Sequence, residues 1–135
     1  MDANISAYDL ATSYMPGYET AIKGGALGIM CAYNMVNGKP ACANPALHAT
    51  LREDWGFEGY ITSDSDSCAD IWSSHKYAKD AQHATQLCLA GGTDIDSGGT
   101  YSKNIAPGVA AGVVNVSDAL NALTEVCVQH PALRR

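Results

Sequence analysis

Short apolar segments alternate with helix-type patterns along this chain, and that alternation restricts the fold more than any other feature. Three segments resemble buried strands: residues 26–33 (ALGIMCAY), 59–63 (GYITS) and, more weakly, 92–95 (GTDI). None alternates cleanly between apolar and polar residues, which is typical of parallel strands covered on both faces. Strands separated by helices at this spacing predict an α/β fold in which right-handed crossovers join parallel strands.

Helical patterns separate and follow these strands, at residues 8–23, 45–55, 80–90, 102–111 and 117–129. In the first of them Leu10, Tyr14, Tyr18 and Ile22 recur at every fourth position, which predicts one apolar face. Pro16 lies inside the same pattern and predicts a kink or a break, because proline lacks the N–H that the helix ladder needs.

The length of the chain allows one domain at most, since it has only 135 residues. Hydrophobic residues make up 47% and charged residues 16%, which indicates a globular chain. Three parallel strands, however, make a poor sheet on their own, because both edges are exposed. We therefore expect the chain to be part of a larger unit.

Charge and hydropathy argue against several classes of partner. The net charge is −6 and the basic residues are dispersed, whereas nucleic-acid binding needs a clustered cationic surface. No run approaches the roughly 18 apolar residues of a membrane helix. The first ten residues lack the basic and apolar regions of a signal peptide. We expect neither nucleic acid nor membrane as a partner.

Metal and cofactor sites are not predicted either. The five cysteines form no CxxC pair, and their odd number leaves at least one thiol unpaired within the chain. Cys68 and Cys88 lie on apolar helix faces and are predicted to be buried thiols. The histidines lack metal-ligand spacing, so surface or packing roles are expected for His48, His75, His83 and His130.

Polar side chains follow each predicted strand, and in α/β proteins the ligand site lies at that edge of the sheet. The six residues at this edge are Tyr33, Asn34, Asp64, Asp66, Asp94 and Asp96. From the residues alone, Asp64 and Asp66 have three interpretations: caps of the following helix, calcium ligands, or a catalytic group. The calcium interpretation is the weakest, because the glycine and the terminal glutamate of hand-type loops are missing.

Several blocks of sequence carry a family resemblance. They are YN-x-VNG-x-P-x-C at 33–42, LR-x-DWGF-x-GY at 51–60 with the TSD that follows, DLATSYMPGYE at 9–19 and AGGTDIDSGGTY at 90–101. Over about residues 2–125 the chain resembles the N-terminal catalytic domain of family 3 glycoside hydrolases, and most of all their β-xylosidase branch in plants and fungi. The resemblance implies a partial TIM-type (β/α) barrel, about the last three of eight βα units, over 1–125, with a divergent tail at 126–135.

The resemblance also implies roles for individual residues. The aspartate of the family's SD motif is the catalytic nucleophile and corresponds to Asp64, and the tyrosine of the YN block lines the adjoining sugar subsite and corresponds to Tyr33. A retaining glycosidase needs an ionised carboxylate to attack the anomeric carbon. Asp66 is expected to cap or support the turn. Trp72 is expected to contact sugar, whereas Trp55 is expected in the core.

Retention requires a second carboxyl group about 5 Å from the first. In the family it belongs to a C-terminal domain, and a substrate-binding lysine-histidine pair lies on an earlier strand; the resemblance places both outside this sequence. The expected partners are thus a β-xyloside or other β-glycoside, the remaining barrel strands and the C-terminal acid/base domain. The chain alone is expected to be inactive, and its tail suggests a premature stop or an altered reading frame. The alternatives are a catalytically silent remnant that binds only sugar or a partner, or a small acidic metal-binding domain.

Cysteines mark both agreement with the family and departure from it. Relatives of the xylosidase type usually carry cysteine at the positions of Ser65 and Ser97, so one family disulfide is expected to be lost here. Cys31 and Cys42 are retained, and the hairpin-like NMVNGKPA between them is compatible with a disulfide. Full-length members of the family are expected to be extracellular.

Overall fold

The computed structural model describes residues 1–129, so His130 and residues 131–135 of the expected tail lie outside the described residues. The strands are β1 (Asp2–Ala3), β2 (Gly28–Cys31), β3 (Met35–Val36), β4 (Lys39–Pro40) and β5 (Tyr60–Ser63). The α-helices are α1 (Ala7–Asp9), α2 (Met15–Lys23), α3 (Pro45–Ala49), α4 (Ser67–Ser73), α5 (Ala81–Gly91), α6 (Thr100–Ala110) and α7 (Val116–Gln129). π-helical turns at Leu10–Tyr14 and Thr50–Asp54 join α1 to α2 and extend α3, and a 3-10 turn covers Ala41–Ala43. The boundary predicted between the partial barrel (1–125) and the divergent tail (126–135) stays a prediction.

The parallel sheet is built on β2 and β5, which pair in register with Cys31 opposite Ser63. The predicted strand at 92–95 is reduced to one parallel bridge between Thr62 and Ile95. Its neighbours explain why it is so short. Gly92 caps α5 in the left-handed conformation (φ 94°), and the Asp96 carboxylate already caps α6. Only three residues lie between the two caps, which leaves room for no more than a short strand.

The first predicted helix is continuous through Pro16 but changes its hydrogen-bond pattern just before it. The π turn at Leu10–Tyr14 ends where α2 begins, which places Pro16 in the first turn of α2, where a missing N–H is tolerated. Core residues cover the predicted apolar face only at its C-terminal end, where Ile22 packs against the cluster of Leu51, Phe57 and Ile61. Tyr14 and Tyr18 are 56% and 52% exposed and line an open groove of about 380 Å³.

The two faces of the parallel sheet differ sharply. Ile61 and Ser63 of β5 are fully buried on one face, whereas Met30 of β2 is 57% exposed on the other. The expectation that these strands are covered on both faces is therefore wrong for the described residues. The core lies on the buried side and between the helices, in three clusters centred on Cys68 and Cys88, on Leu51 and Phe57, and on Leu89 and Val114.

A hairpin follows β2 and closes a disulfide. β3 and β4 pair antiparallel around Asn37 and Gly38, whose positive φ angles (50° and 80°) suit a tight two-residue turn. This brings Cys31 and Cys42 together in a disulfide with 5.2 Å between their Cα atoms, a pairing with which the sequence is compatible. Cys68 and Cys88 are both buried, which confirms that part of the prediction.

Candidate active site

The turn between β5 and α4 holds Asp64 in one orientation. The main-chain N–H of Asp64 continues the strand ladder to the carbonyl of Cys31, and its Oδ1 accepts a hydrogen bond from the N–H of Ser65 at 2.7 Å. Ser67, the first residue of α4, donates both its N–H and its hydroxyl to the carbonyl of Asp64. The half-buried carboxylate thus stands at the carboxyl end of the strand, where the N–H of Ser65 holds it.

Tyr33 reaches the same turn from the end of β2. Its phenol donates a hydrogen bond to the carbonyl of Ser65 at 2.8 Å. The pKa of Tyr33 is raised above its usual value by partial removal from water, and then by hydrogen bonding and negative charge from Asp64. The phenol therefore stays protonated beside the carboxylate. The structure brings these two sequence-predicted residues together.

His75 also belongs to this site, which the sequence did not indicate. Its Nε2 donates to the main-chain carbonyl of Tyr33 at 2.8 Å. Lys76, beside it, has a positive φ of 55°, so the chain bends at this point. Neither spacing nor a motif singles out His75, because the contact joins residues 42 positions apart and depends on how the loop after α4 folds back.

Asp66 occupies the N-cap position of α4, but its side chain makes no capping hydrogen bond. Of the two roles expected for Asp66, the structure does not show side-chain capping but does show support of the turn. The residue adopts the left-handed conformation (φ 60°), its N–H donates to the carbonyl of Ser97, and its own carbonyl accepts the N–H of Ala69. Asp66 supports the turn through its backbone, with Oδ1 turned towards Gly98.

The two aspartates on either side of Ile95, the residue that bridges to β5, have separate roles. Asp96 lies at the site edge: its Oδ2 accepts the N–H groups of Thr100 and Tyr101 at 2.7 and 3.0 Å and so caps α6. Its Oδ1 is 3.5 Å from the hydroxyl of Ser63. Asn34, also expected at this edge, instead donates within its own hairpin.

Asp94 does not face the site, contrary to expectation. The bridge register sets it beside Ile61, and its carboxylate accepts the N–H of that residue and pairs with Arg52, each at 2.7 Å. Burial raises the pKa of Asp94 to about 6, against the opposing influence of the Ile61 N–H and the Arg52 charge. Arg52 also donates to the carbonyl of Gly59, before β5 begins, so the pair lies towards the opposite end of the strand.

The two tryptophans lie in different environments. Trp55 packs against the cluster of Leu51, Phe57 and Ile61, as predicted. Trp72 lies on α4 and is 39% exposed, and its contact with sugar stays a prediction. Within residues 1–129 no group of three metal-ligating side chains converges, and no helix has the length and apolar character needed to cross a membrane.

Fold and site together define a class: an α/β chain of parallel strand-helix units with an acidic turn at the strand carboxyl ends, as in (β/α) barrels. The family model of the glycosyl hydrolase family 3 N terminal domain matches residues 2–127, and the chain belongs to this family. This confirms the fold class, a partial TIM-type barrel of about three βα units.

Known proteins of similar sequence support this membership. A probable exo-1,4-β-xylosidase of Aspergillus terreus is 36% identical over 130 residues, which cover 93% of this chain and 17% of that protein. A probable β-D-xylosidase of Arabidopsis thaliana is 40% identical over 124 residues, or 90% of this chain and 16% of its own. A solved family 3 exo-β-xylosidase, in complex with a xylobiose aziridine probe, aligns with a TM-score of 0.87 at 30% identity, over 92% of this chain and 17% of that one. The chain thus spans about a sixth of the length of these relatives.

Proposed function

We propose that this chain is the segment of a retaining β-xyloside hydrolase that carries the nucleophile, and that the nucleophile is Asp64. The observation that carries the proposal is the position of Asp64. Its carboxylate stands at the end of β5, held by the N–H of Ser65, with the phenol of Tyr33 fixed to the same turn. A preorganised carboxylate of this kind is what attack on an anomeric carbon requires.

In the proposed reaction the Asp64 carboxylate attacks the anomeric carbon as the glycosidic bond breaks. A second carboxyl group protonates the leaving oxygen and then activates the water that releases the sugar from Asp64. Tyr33 keeps the turn in place and lines the sugar subsite. Trp72, exposed on α4, offers an aromatic surface to the sugar.

The substrate proposed is a β-xyloside of the kind found in xylan. Support comes from the relatives, two of which have names that specify xylosidases, and from the solved exo-β-xylosidase whose complex contains a probe derived from xylobiose. Solved β-glucosidases align as well, at lower identity: one from Listeria innocua has a TM-score of 0.80 at 26%. A β-glucoside is therefore the competing substrate.

We propose that the partners of this chain are the remaining strands of the barrel and a C-terminal domain that supplies the acid/base carboxyl. The open sheet face, with Met30 and Leu27 57% and 60% exposed, is an apolar surface of the kind that further strands cover. The adjoining groove, lined by Tyr14, Tyr18 and Met30, continues this surface. Without these partners the chain should have negligible hydrolase activity.

The proposal can be tested by grafting residues 2–127 into the solved exo-β-xylosidase in place of its matching segment. The chimera should hydrolyse an aryl β-xyloside with retention of configuration, followed by NMR, and prefer it to the aryl β-glucoside. Asp64→Asn should abolish turnover, whereas Asp66→Asn should keep most of it. A chimera that unfolds cooperatively but has no activity would favour the catalytically silent remnant.

A further inference from the structure

Two thiols outside the site lie closer together than unbonded atoms allow. Cys68 on α4 and Cys88 on α5 are both fully buried, and their Sγ atoms are 2.6 Å apart. Even two unbonded carbon atoms, which are smaller than sulfur, keep about 3.5 Å apart. A disulfide requires about 2.05 Å, so the sulfurs need only a small shift to reach bonding distance.

We propose that Cys68 and Cys88 form a second disulfide, which ties α4, the helix behind the Asp64 turn, to α5. The two residues belong to the same apolar cluster as the Cys31–Cys42 disulfide. That first disulfide already indicates an oxidising compartment, where a second close pair of thiols also becomes oxidised. No metal competes for the pair, because no set of metal ligands converges anywhere in residues 1–129.

The surroundings of the pair indicate when the bond forms. Burial raises the pKa of the Cys88 thiol well above its usual value, and the neighbouring Cys68 raises it further. Thiol–disulfide exchange needs a thiolate and access for the oxidant. Both are absent once the helices have packed, so the bond forms during folding and is afterwards shielded from reductants.

The chemistry balances with a disulfide oxidant such as oxidised glutathione. A thiolate of one cysteine attacks the oxidant, breaks its S–S bond and forms a mixed disulfide, and the first thiol leaves. The second cysteine then attacks the mixed disulfide, forms the Cys68–Cys88 bond and releases the second thiol. Two electrons and two protons pass from the cysteines to the two sulfurs of the oxidant.

The proposed bond has a mechanical consequence for the acidic turn. α4 begins at Ser67, three residues after Asp64, and Cys68 is in its first turn. α5 in turn packs against the 3-10 turn that contains Cys42. Fixing Cys68 to α5 therefore anchors the start of α4, and with it the turn that orients Asp64.

Tryptic mapping tests the proposal directly on the 135-residue chain, secreted into an oxidising compartment or refolded with a glutathione redox buffer. Trypsin cleaves after lysine and arginine but not at Lys39–Pro40, so Cys31 and Cys42 stay on one peptide, 24–52. Cys68 and Cys88 fall on separate peptides, 53–76 and 80–103. Alkylation before digestion, followed by mass spectrometry without reduction, should show these two peptides covalently joined.

The Cys31–Cys42 disulfide serves as the internal control for folding. In material where peptide 24–52 carries that bond, recovery of Cys68 and Cys88 as alkylated thiols would overturn the proposal, as would pairing of either with another cysteine. A thiol titration in denaturant gives the same answer independently: one free thiol per chain, Cys127, is expected, and three would contradict it. In Cys127→Ala the expected number falls to zero.

Loss of the bond should also lower stability measurably. With 20 positions between the two cysteines, Cys68→Ala should lower the midpoint of thermal unfolding by roughly 10 °C in oxidising buffer. For comparison, both proteins are reduced in denaturant and refolded under reducing conditions, so that the wild type has no Cys68–Cys88 bond. The difference in unfolding midpoint between variant and wild type should then be smaller. A gap of equal size in both forms would show that Cys68 contributes only packing.

Discussion

The phenol of Tyr33 donates a hydrogen bond to the main-chain carbonyl of Ser65, at 2.8 Å and across 32 positions of sequence. This bond joins the end of β2 to the turn that follows β5, while the N–H of the same Ser65 holds the Asp64 carboxylate. Ser65 therefore connects the Asp64 carboxylate to Tyr33, at the end of the adjacent strand. His75 completes the arrangement by binding the carbonyl of Tyr33.

Removing the Tyr33 hydroxyl should loosen this turn without removing the nucleophile. In the chimera, Tyr33→Phe should lower kcat/KM for an aryl β-xyloside about fivefold, in line with about 1 kcal/mol for one neutral hydrogen bond. Steady-state kinetics measure the effect. Tyr8→Phe is the matched control, since Tyr8 is 75% exposed on α1, and it should leave the rate unchanged. An unchanged rate in Tyr33→Phe would show that the bond does not matter for catalysis.

The isolated chain should turn over no aryl β-xyloside above the uncatalysed rate, because the proposed nucleophile lacks its acid/base partner. A sensitive fluorogenic assay with the purified 135-residue chain checks this. The control is the same preparation of Asp64→Asn. Turnover by the wild-type chain that disappears in Asp64→Asn would refute the proposed dependence on further domains.

Local patterns in the sequence account for the backbone of this fold better than for its site. The pairing of β2 with β5 follows from two short apolar segments separated by a helix, and the Asn37–Gly38 turn is evident from residue type. The predicted position of Asp94 is wrong because its side chain depends on the register of a single bridge. That register sets the carboxylate against Arg52 rather than at the carboxyl ends of the strands.

Met30, Tyr14 and Tyr18 are also more exposed than their apolar patterns predict, and for a different reason. A periodic apolar pattern indicates that a face is made to be covered, but it does not specify what covers it. The role of His75 depends on a contact between distant parts of the chain, which local sequence patterns do not predict. The separation of Asp64 from Asp66 rested on family resemblance, and the catalytic role of Asp64 stays a prediction.

Two glycines in different surroundings should respond differently to alanine. At Gly59, before β5, an added Cβ would overlap the carbonyl of Leu27 and the ring of Phe57, so Gly59→Ala should destabilise the chain by about 2 to 3 kcal/mol. At Gly17, inside α2, nothing lies within 4 Å of the added atom, and Gly17→Ala should stabilise by up to about 1 kcal/mol. Urea unfolding of both variants measures these changes. Equal effects would contradict the packing described around Gly59.

Two buried groups should give opposite pH dependence of stability. Burial lowers the pKa of His48, whose Nδ1 donates to the carbonyl of Gly91, to about 4. The folded chain then binds fewer protons than the unfolded chain, so this contribution to stability is lost as pH falls from about 6.5 to about 4. The pKa of Asp94 is raised to about 6, so between about pH 4 and pH 6 the folded chain binds a proton at Asp94 that the unfolded chain has released. This contribution to stability is lost as pH rises through that range.

Single variants should separate these slopes, which oppose each other between about pH 4 and pH 6. His48→Asn keeps a donor near Gly91, and its free energy of unfolding should increase relative to wild type as pH falls through this window. In Asp94→Asn the relative change should have the opposite sign. Urea unfolding at several pH values measures both, and differences independent of pH would contradict the burial of these groups.

The central claim, that Asp64 is the nucleophile, is tested most directly by trapping the covalent intermediate. A 2-deoxy-2-fluoro-β-xyloside with a good leaving group slows breakdown of the glycosyl-enzyme, so incubation with the chimera should add one sugar to the protein. After peptic digestion at low pH, mass spectrometry should locate the sugar on Asp64 and find none in Asp64→Asn. A sugar attached instead to Asp66, Asp96 or a carboxylate outside residues 2–127 would contradict the claim.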